Sequence, residues 1–151
     1  MNHSLVNCKR KEDINMDEHE KKQELKKRKY IAMMVTEMER KGLSEKTIRK
    51  HFHNVELYVE FLNFHHDAEI EHGVEYTYLA DFFGYYYIRK CMCSTPATLK
   101  STAASIKKFY KCMAEHQVID EESYKEFLSI MKDFVPEWME ECDDYNNGNA
   151  T

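Results

Sequence analysis

The fold is decided by residues 44–62, SEKTIRKHFHNVELYVEFL. Apolar side chains recur there at intervals of four, three, four and three residues: Ile48, Phe52, Val55, Val59 and Leu62. This spacing places them on one face of an α-helix. Ser44 stands at a suitable N-cap position, since its hydroxyl can accept a hydrogen bond from the backbone of the first turn. The segment therefore predicts an amphipathic helix that begins after Ser44.

Four more helices are predicted around this one by the same criteria. The first covers about 20–41 and ends before Gly42, a residue type favoured just beyond helix ends. After a loop at 65–76, the third begins behind Thr77. The fourth follows Thr95-Pro96 and extends to about residue 116, because proline is favoured in a first helical turn. The fifth begins after Asp120 and ends or restarts at Pro136.

Composition supports an all-helical chain. Only 4 of the 151 residues are glycine and 2 are proline, and such scarcity of helix breakers favours helices over a sandwich or barrel. We predict an antiparallel bundle of four to five helices with one core. Residues 1–27 are expected to be a flexible or solvated helical extension, 28–135 the helical domain, and 136–151 an acidic tail, in which Trp138 and Met139 could dock a last turn and 140–151 should be mobile.

The aromatic run at 82–87, FFGYYY, has two interpretations. It could stack on bases, but at helical spacing we expect it mainly in the core, with tyrosines at its rim. Gly84 inside this run costs a helix about 1 kcal/mol relative to alanine. A close approach of a second helix would explain it.

The cysteines give no framework for disulfides or metal. Five are scattered along the chain, and no apolar leader precedes them, so we expect reduced thiols in the cytoplasm. Cys91 and Cys93 are too closely spaced for the usual zinc motif, and inert thiols are the preferred interpretation over a metal or redox sensor. No run is apolar enough to span a membrane. We predict no cofactor and no metal.

Charge is distributed in blocks, although the net charge is −5. Residues 1–50 carry 14 basic and 9 acidic side chains, and 96–111 carry 4 basic and 0 acidic ones. By contrast, residues 112–151 carry 2 basic and 11 acidic side chains. A chain with such blocks can present a positive surface while being acidic overall.

Two basic segments could contact phosphate. In the fourth predicted helix, Lys100, Lys107 and Lys111 share a stripe, with Lys108 and Ser101 beside them. Lysines displace counterions from a polyanion, and hydroxyls bond phosphate oxygens. The second predicted helix opens with further candidates: Lys46, Thr47, Arg49 and Lys50. Basic residues there oppose the helix dipole, which is easier to understand if an anion binds. The alternative for both segments is an ordinary solvated face.

These segments also carry a family resemblance. Residues 42–51, GLSEKTIRKH, followed by YVEFL at 58–62, resemble the start of the core-binding, SAM-like N-terminal domain of tyrosine recombinases, or phage integrases. Residues 95–100, TPATLK, and 105–111, SIKKFYK, resemble its last main helix, and YLADFF at 78–83 stands where the intervening helix is expected. The resemblance covers about 28–120.

The resemblance implies a four-helix bundle that clamps one face of duplex DNA, with the helices matching 44–64 and 96–115 facing it. The basic residues above fall on those helices. The recombinase catalytic domain, with its H-x-x-R motif and nucleophilic tyrosine, has no counterpart: none of the eight histidines begins H-x-x-R. We therefore expect a non-catalytic DNA-binding module linked to recombination or integration.

Other partners are possible under the same interpretation. A recombinase or a second copy of this chain could accompany the DNA, and no membrane is expected. The alternative function is a helical protein–protein interaction module with no role in DNA binding. Its contacts would come from the methionine-rich first helix, the tyrosine cluster and the acidic end.

Overall fold

The computed structural model describes residues 17–91 and 94–148, which form helices and turns and contain no strand. Five helices follow one another: α1 (Glu18–Arg40), α2 (Glu45–Glu60), α3, α4 (Pro96–Glu115) and α5 (Glu121–Asn146). Helix α3 consists of Tyr76–Asp81 and Tyr87–Lys90, joined by a π-helical turn at Phe82–Tyr86. The prediction of an all-α bundle of four to five helices is confirmed. No helix in this part of the chain is long and apolar enough to cross a membrane.

Local signals set most of the helix ends. The side chains of Ser44, Thr95 and Asp120 each accept a hydrogen bond from the backbone three residues later, as predicted. Gly42 adopts a φ of 78°, a left-handed conformation that favours glycine after α1. The prediction for Thr77 is wrong by two residues: α3 begins at Tyr76, and the preceding Glu75 makes no side-chain cap.

Helix α4 lies at the centre of the bundle, against α1, α2 and α5. Its predicted seam is fully enclosed, with at most 1% of each side chain exposed: Leu99, Ala103, Ile106, Tyr110 and Met113. Two buried hydroxyls tie this core to the segment after α2, since Tyr110 donates to the carbonyl of Ile70 and Tyr58 to that of Gly73. That segment is a π-helical turn at Phe61–His65 followed by a short 3₁₀ turn at Ile70–Val74, and the 3₁₀ turn lies within the predicted loop at 65–76.

The predicted extension at 1–27 is helical where the structure describes it, and it is only partly solvated. Helix α1 begins at Glu18, and its first turns are docked on the bundle. Gln23 is buried, and the Lys26 ammonium lies 2.8 Å from Glu69 and 2.7 Å from Glu71. Ion pairs with residues distant in sequence therefore hold the first turns of α1 on the bundle, although the composition of these turns indicated a solvated helix. Residues 1–16 of the predicted extension lie outside the described residues.

Within the predicted tail at 136–151, the structure shows a helix as far as Asn146. Helix α5 continues through Pro136, and Trp138 and Cys142 are buried beyond it. Proline removes one backbone donor and strains the preceding turn, but Trp138 stacks on Phe83 with ring centroids 5.4 Å apart. The burial of that ring outweighs the cost of the proline. Residues 149–151 lie outside the described part of the chain.

The aromatic run of α3 forms the other half of this contact. Phe82, Phe83 and Tyr87 are buried, whereas Tyr85 is exposed, so the core interpretation is confirmed. A Cβ atom added to Gly84 would meet the Trp138 ring at 3.4 Å. Helix α5 thus lies close to α3 at Gly84, although a Cβ there would make only an ordinary van der Waals contact.

Candidate nucleic-acid interface

A hydrogen-bonded junction joins α2 to α4. The buried Ser105 hydroxyl lies 2.7 Å from His51 Nδ1, 2.9 Å from Asn54 Nδ2 and 3.2 Å from the carbonyl oxygen of Ser101. The Ser105 hydroxyl accepts a hydrogen bond from the Asn54 amide, and the tautomer of His51 sets the direction of its bond with Nδ1. The junction holds the first turns of α2 alongside the first half of α4.

Two lysines lie close to this junction. Burial lowers the pKa of His51 below its ordinary value, and the charges of Lys108 and Lys50 lower it further. Lys50 belongs to α2 and Lys108 to α4, and the hydrogen bonds that join Ser105 to His51 and Asn54 place these parts of the two helices side by side. His51 is neutral at pH 7, so the positive charge at this point comes from the lysines.

The lysine stripe of α4 is exposed. Lys100, Lys107 and Lys111 are solvent-exposed and Lys108 is half-buried. None of the four forms an ion pair with a residue of 17–91 or 94–148. By contrast, Lys26, Lys27 and Arg40 all have carboxylate partners. The charges of the stripe are therefore not neutralised by the described part of the protein.

Three of the predicted residues are placed less favourably. Arg49 lies on the other side of α2, where it pairs with Glu45 at 3.0 Å. The Thr47 hydroxyl accepts a hydrogen bond from Ser44 within the helix cap. The Ser101 hydroxyl is enclosed and has no partner among the described atoms. Lys46 and Lys50 remain exposed at the start of α2, so the structure brings together the lysines rather than the whole predicted set.

A pocket of about 160 Å³ opens beside the lysine stripe. Lys107, Lys108 and Lys111 stand on its α4 side, and Lys41 stands opposite at the end of α1. The side chains of Met34, Met38, Cys112 and Tyr124 form its apolar surface. Lys41 was not among the predicted residues, because only the packing of α1 against α4 brings it to this pocket. The role of His51 was also missed, because it depends on a partner in another helix.

Several acidic residues of α5 lie away from this pocket, although burial raises the pKa of Tyr124 and the nearby charges of Glu115 and Glu121 raise it further. Tyr124 lines the pocket and stands two residues from both Glu122 and Glu126, a separation of about 200° around a helix. Intervals of three, four and seven residues place further exposed acids on the Glu126 side: Asp133, Glu137, Glu140 and Asp144. These acids are thus directed away from the lysines, whereas Glu115 of the same acidic block lines the pocket together with Glu37.

A second concavity separates α1 from α2. This groove has a volume of about 580 Å³, and its apolar surface includes Ile31, Val35, Ile48 and Phe52. Its rim carries both signs of charge, with Arg28 and Arg49 opposed by Glu24 and Glu45. The methionines that were expected at a protein contact, Met34 and Met38, are instead in the core.

The thiols show no sign of activation. Burial raises the pKa of Cys91, Cys112 and Cys142 above the ordinary value, and a raised pKa lowers the thiolate fraction. Cys8 and Cys93 lie outside the described residues, so the Cys91–Cys93 pair cannot be placed. Within the described ranges, no group of three or more histidine, cysteine or acidic side chains is arranged to hold a metal ion.

Comparisons of the chain with protein-family models, with curated proteins and with solved structures found no match.

Proposed function

We propose that this chain is a non-catalytic module that binds duplex DNA through the phosphate backbone. The observation that carries the proposal is the junction at Ser105, which holds the part of α2 that carries Lys50 alongside the part of α4 that carries Lys108. Lys50 and Lys108 approach His51 from the two helices. A polyanion that lies across this face meets lysines from both.

The charges on this face favour backbone contacts over base readout. Lys100, Lys107 and Lys111 are exposed and have no carboxylate partner in the described ranges. Lysines that contact phosphate fix a protein on DNA without reading its sequence. We therefore expect a dissociation constant of about 10⁻⁴–10⁻⁶ M at physiological salt, with little sequence preference.

The biological setting follows from the resemblance to recombinase core-binding domains. We propose that the module takes part in recombination or integration, as an accessory to a full recombinase or as its competitor. A recombinase or a second copy of the chain would then contact another surface. The cytoplasmic location stays a prediction from the scattered cysteines.

A salt titration tests the proposal. Binding of a fluorescent duplex is followed by anisotropy at several salt concentrations, for the wild type and for the double variant Lys100→Ala/Lys107→Ala. The slope of log K against log salt should become shallower by about 0.9 for each phosphate contact that is lost. The matched control is Lys22→Ala/Lys29→Ala, which removes two exposed α1 lysines with the same spacing.

Equal losses in the two double variants would contradict a defined DNA face. Absence of binding at about 50 mM salt would contradict DNA binding altogether. If light scattering then showed a dimer or a larger complex, the alternative of a protein–protein interaction module would be favoured.

A further inference from the structure

We infer that the pocket between α1, α4 and the start of α5 takes one unpaired pyrimidine base of a bound DNA strand. This inference rests on the proposed function, because the strand that supplies the base is held by the lysines of the same face. It adds recognition of a structural defect, an extrahelical base, to a surface that otherwise contacts only phosphates.

The pocket has the size of a single ring. Its volume is about 160 Å³, and a protein cavity of about 150 Å³ is known to bind benzene. A pyrimidine has one six-membered ring, whereas a purine has a second, fused ring and would leave part of its surface outside. The dimensions therefore favour a pyrimidine.

The walls suit a flat aromatic group. Met34 and Met38 are core residues of α1 that border the pocket, and the half-buried Tyr124 borders it from α5. Methionine sulfur makes favourable contacts with aromatic rings, and a tyrosine ring provides a surface for base stacking. Burial raises the pKa of Cys112. The thiol at this wall is therefore neutral, and it is compatible with a bound aromatic ring.

The rim carries lysines that can bind a phosphate and carboxylates that can accept hydrogen bonds from a base. Lys107 and Lys111 are exposed and face the pocket from α4, where they can hold a phosphate. Glu37 and Glu115 stand at the same rim. The hydrogen bond from Arg40 lowers the pKa of Glu37, which keeps this carboxylate ionised and able to accept hydrogen bonds. Carboxylates accept from the amino group of cytosine, so cytosine is the best probe.

The experiment compares three labelled duplexes of otherwise identical sequence at one salt concentration. One is fully paired, one carries a single extrahelical cytosine, and one carries an abasic site at the bulge. Stacking of one base on an aromatic side chain contributes about 1–3 kcal/mol, and an unpaired base is cheap to unstack. The cytosine bulge should therefore bind about tenfold more tightly than the other two.

A variant locates the effect in the pocket. Tyr124→Ser should lose the preference for the cytosine bulge while keeping the affinity for the paired duplex, because the lysines are unchanged. Tyr85→Ser is the matched control, since Tyr85 is an exposed tyrosine of α3 that does not line the pocket. It should keep the preference.

The outcomes separate this inference from the proposed function. Equal binding of the cytosine and abasic bulges, with the paired duplex still bound, would overturn the pocket and leave the module a backbone binder. Failure to bind any of the three duplexes would overturn both. The comparison of bulges uses the wild-type chain, so it remains decisive even if Tyr124→Ser does not fold.

Discussion

His51 of α2 and Ser105 of α4 are joined by a hydrogen bond of 2.7 Å between Nδ1 and Oγ, across 54 residues of sequence. The serine hydroxyl is fully buried and also serves Asn54. A buried polar group is costly unless it is paired, so this contact selects one relative position of the two helices. Because basic residues flank it on both helices, the same contact determines the shape of the proposed DNA face.

Ser105→Ala should destabilise the fold by about 1–3 kcal/mol, the usual cost of leaving a buried polar group without a partner. Here Asn54 loses its acceptor and His51 loses its hydrogen-bond partner. Urea denaturation of the wild type and the variant measures the loss as a shift of the midpoint at constant slope. Ser129→Ala, at an exposed position of α5, is the control and should change stability little. Equal stability of the two variants would contradict the structural role of the junction.

His51 should make the fold less stable as the pH falls below its unfolded pKa of about 6.5. Burial and the charges of Lys108 and Lys50 lower the folded pKa of His51. The unfolded chain then binds more protons than the folded one between the two pKa values, so stability rises with pH in that window and is lost below it. His51→Gln removes this contribution. On acidification, the urea midpoint of the wild type should therefore fall more than that of His51→Gln. A difference between the two midpoints that stays constant with pH would contradict a lowered pKa of His51 in the folded state.

The glycines of the chain should differ sharply in their response to alanine. A Cβ at Gly73 would collide with the buried hydroxyl of Tyr110 and approach Leu62 Cδ1 at 2.7 Å. It would also disturb the hydrogen bond from Tyr110 to the carbonyl of Ile70. We expect Gly73→Ala to cost about 1–3 kcal/mol or more, as overpacking does.

The companion variant Gly84→Ala should be nearly neutral or slightly stabilising. Its Cβ meets the Trp138 ring at 3.4 Å, an ordinary contact, and alanine gains about 1 kcal/mol of helix propensity. Thermal unfolding of both variants checks the pair. Similar melting temperatures for Gly73→Ala and Gly84→Ala would contradict the view that the nearby Tyr110 hydroxyl makes glycine necessary at position 73.

Trp138→Ala should destabilise the protein by about 3–5 kcal/mol, as large-to-small changes of buried aromatic residues do. The side chain is 3% exposed and stacks on both Phe83 and Phe134. Tyr145→Ala, seven residues on and 40% exposed, is the control and should cost much less. Guanidinium unfolding of the two variants measures these losses. A mobile tail would tolerate both changes, whereas a docked helix should tolerate Tyr145→Ala much better than Trp138→Ala.

The sequence by itself determined the helices and most of their caps. The hydroxyls of Ser44 and Thr95 and the carboxylate of Asp120 bond backbone groups three residues away, and the apolar seams of α2 and α4 need only a helical period to be recognised. These features are local, so neighbouring residues suffice to specify them. The charge blocks and the candidate lysines were accessible from the sequence for the same reason.

Only the tertiary structure decided which faces meet. The pairing of His51 with Ser105, the position of Lys41 opposite Lys107, and the direction of the acidic stripe on α5 all depend on how helices pack. Packing also reversed two local expectations, since the burial of Trp138 carries α5 past Pro136 and the ion pairs of Lys26 dock the start of α1. Contacts between distant residues contribute free energies comparable to local propensities or larger, and the order of residues in the chain does not reveal them.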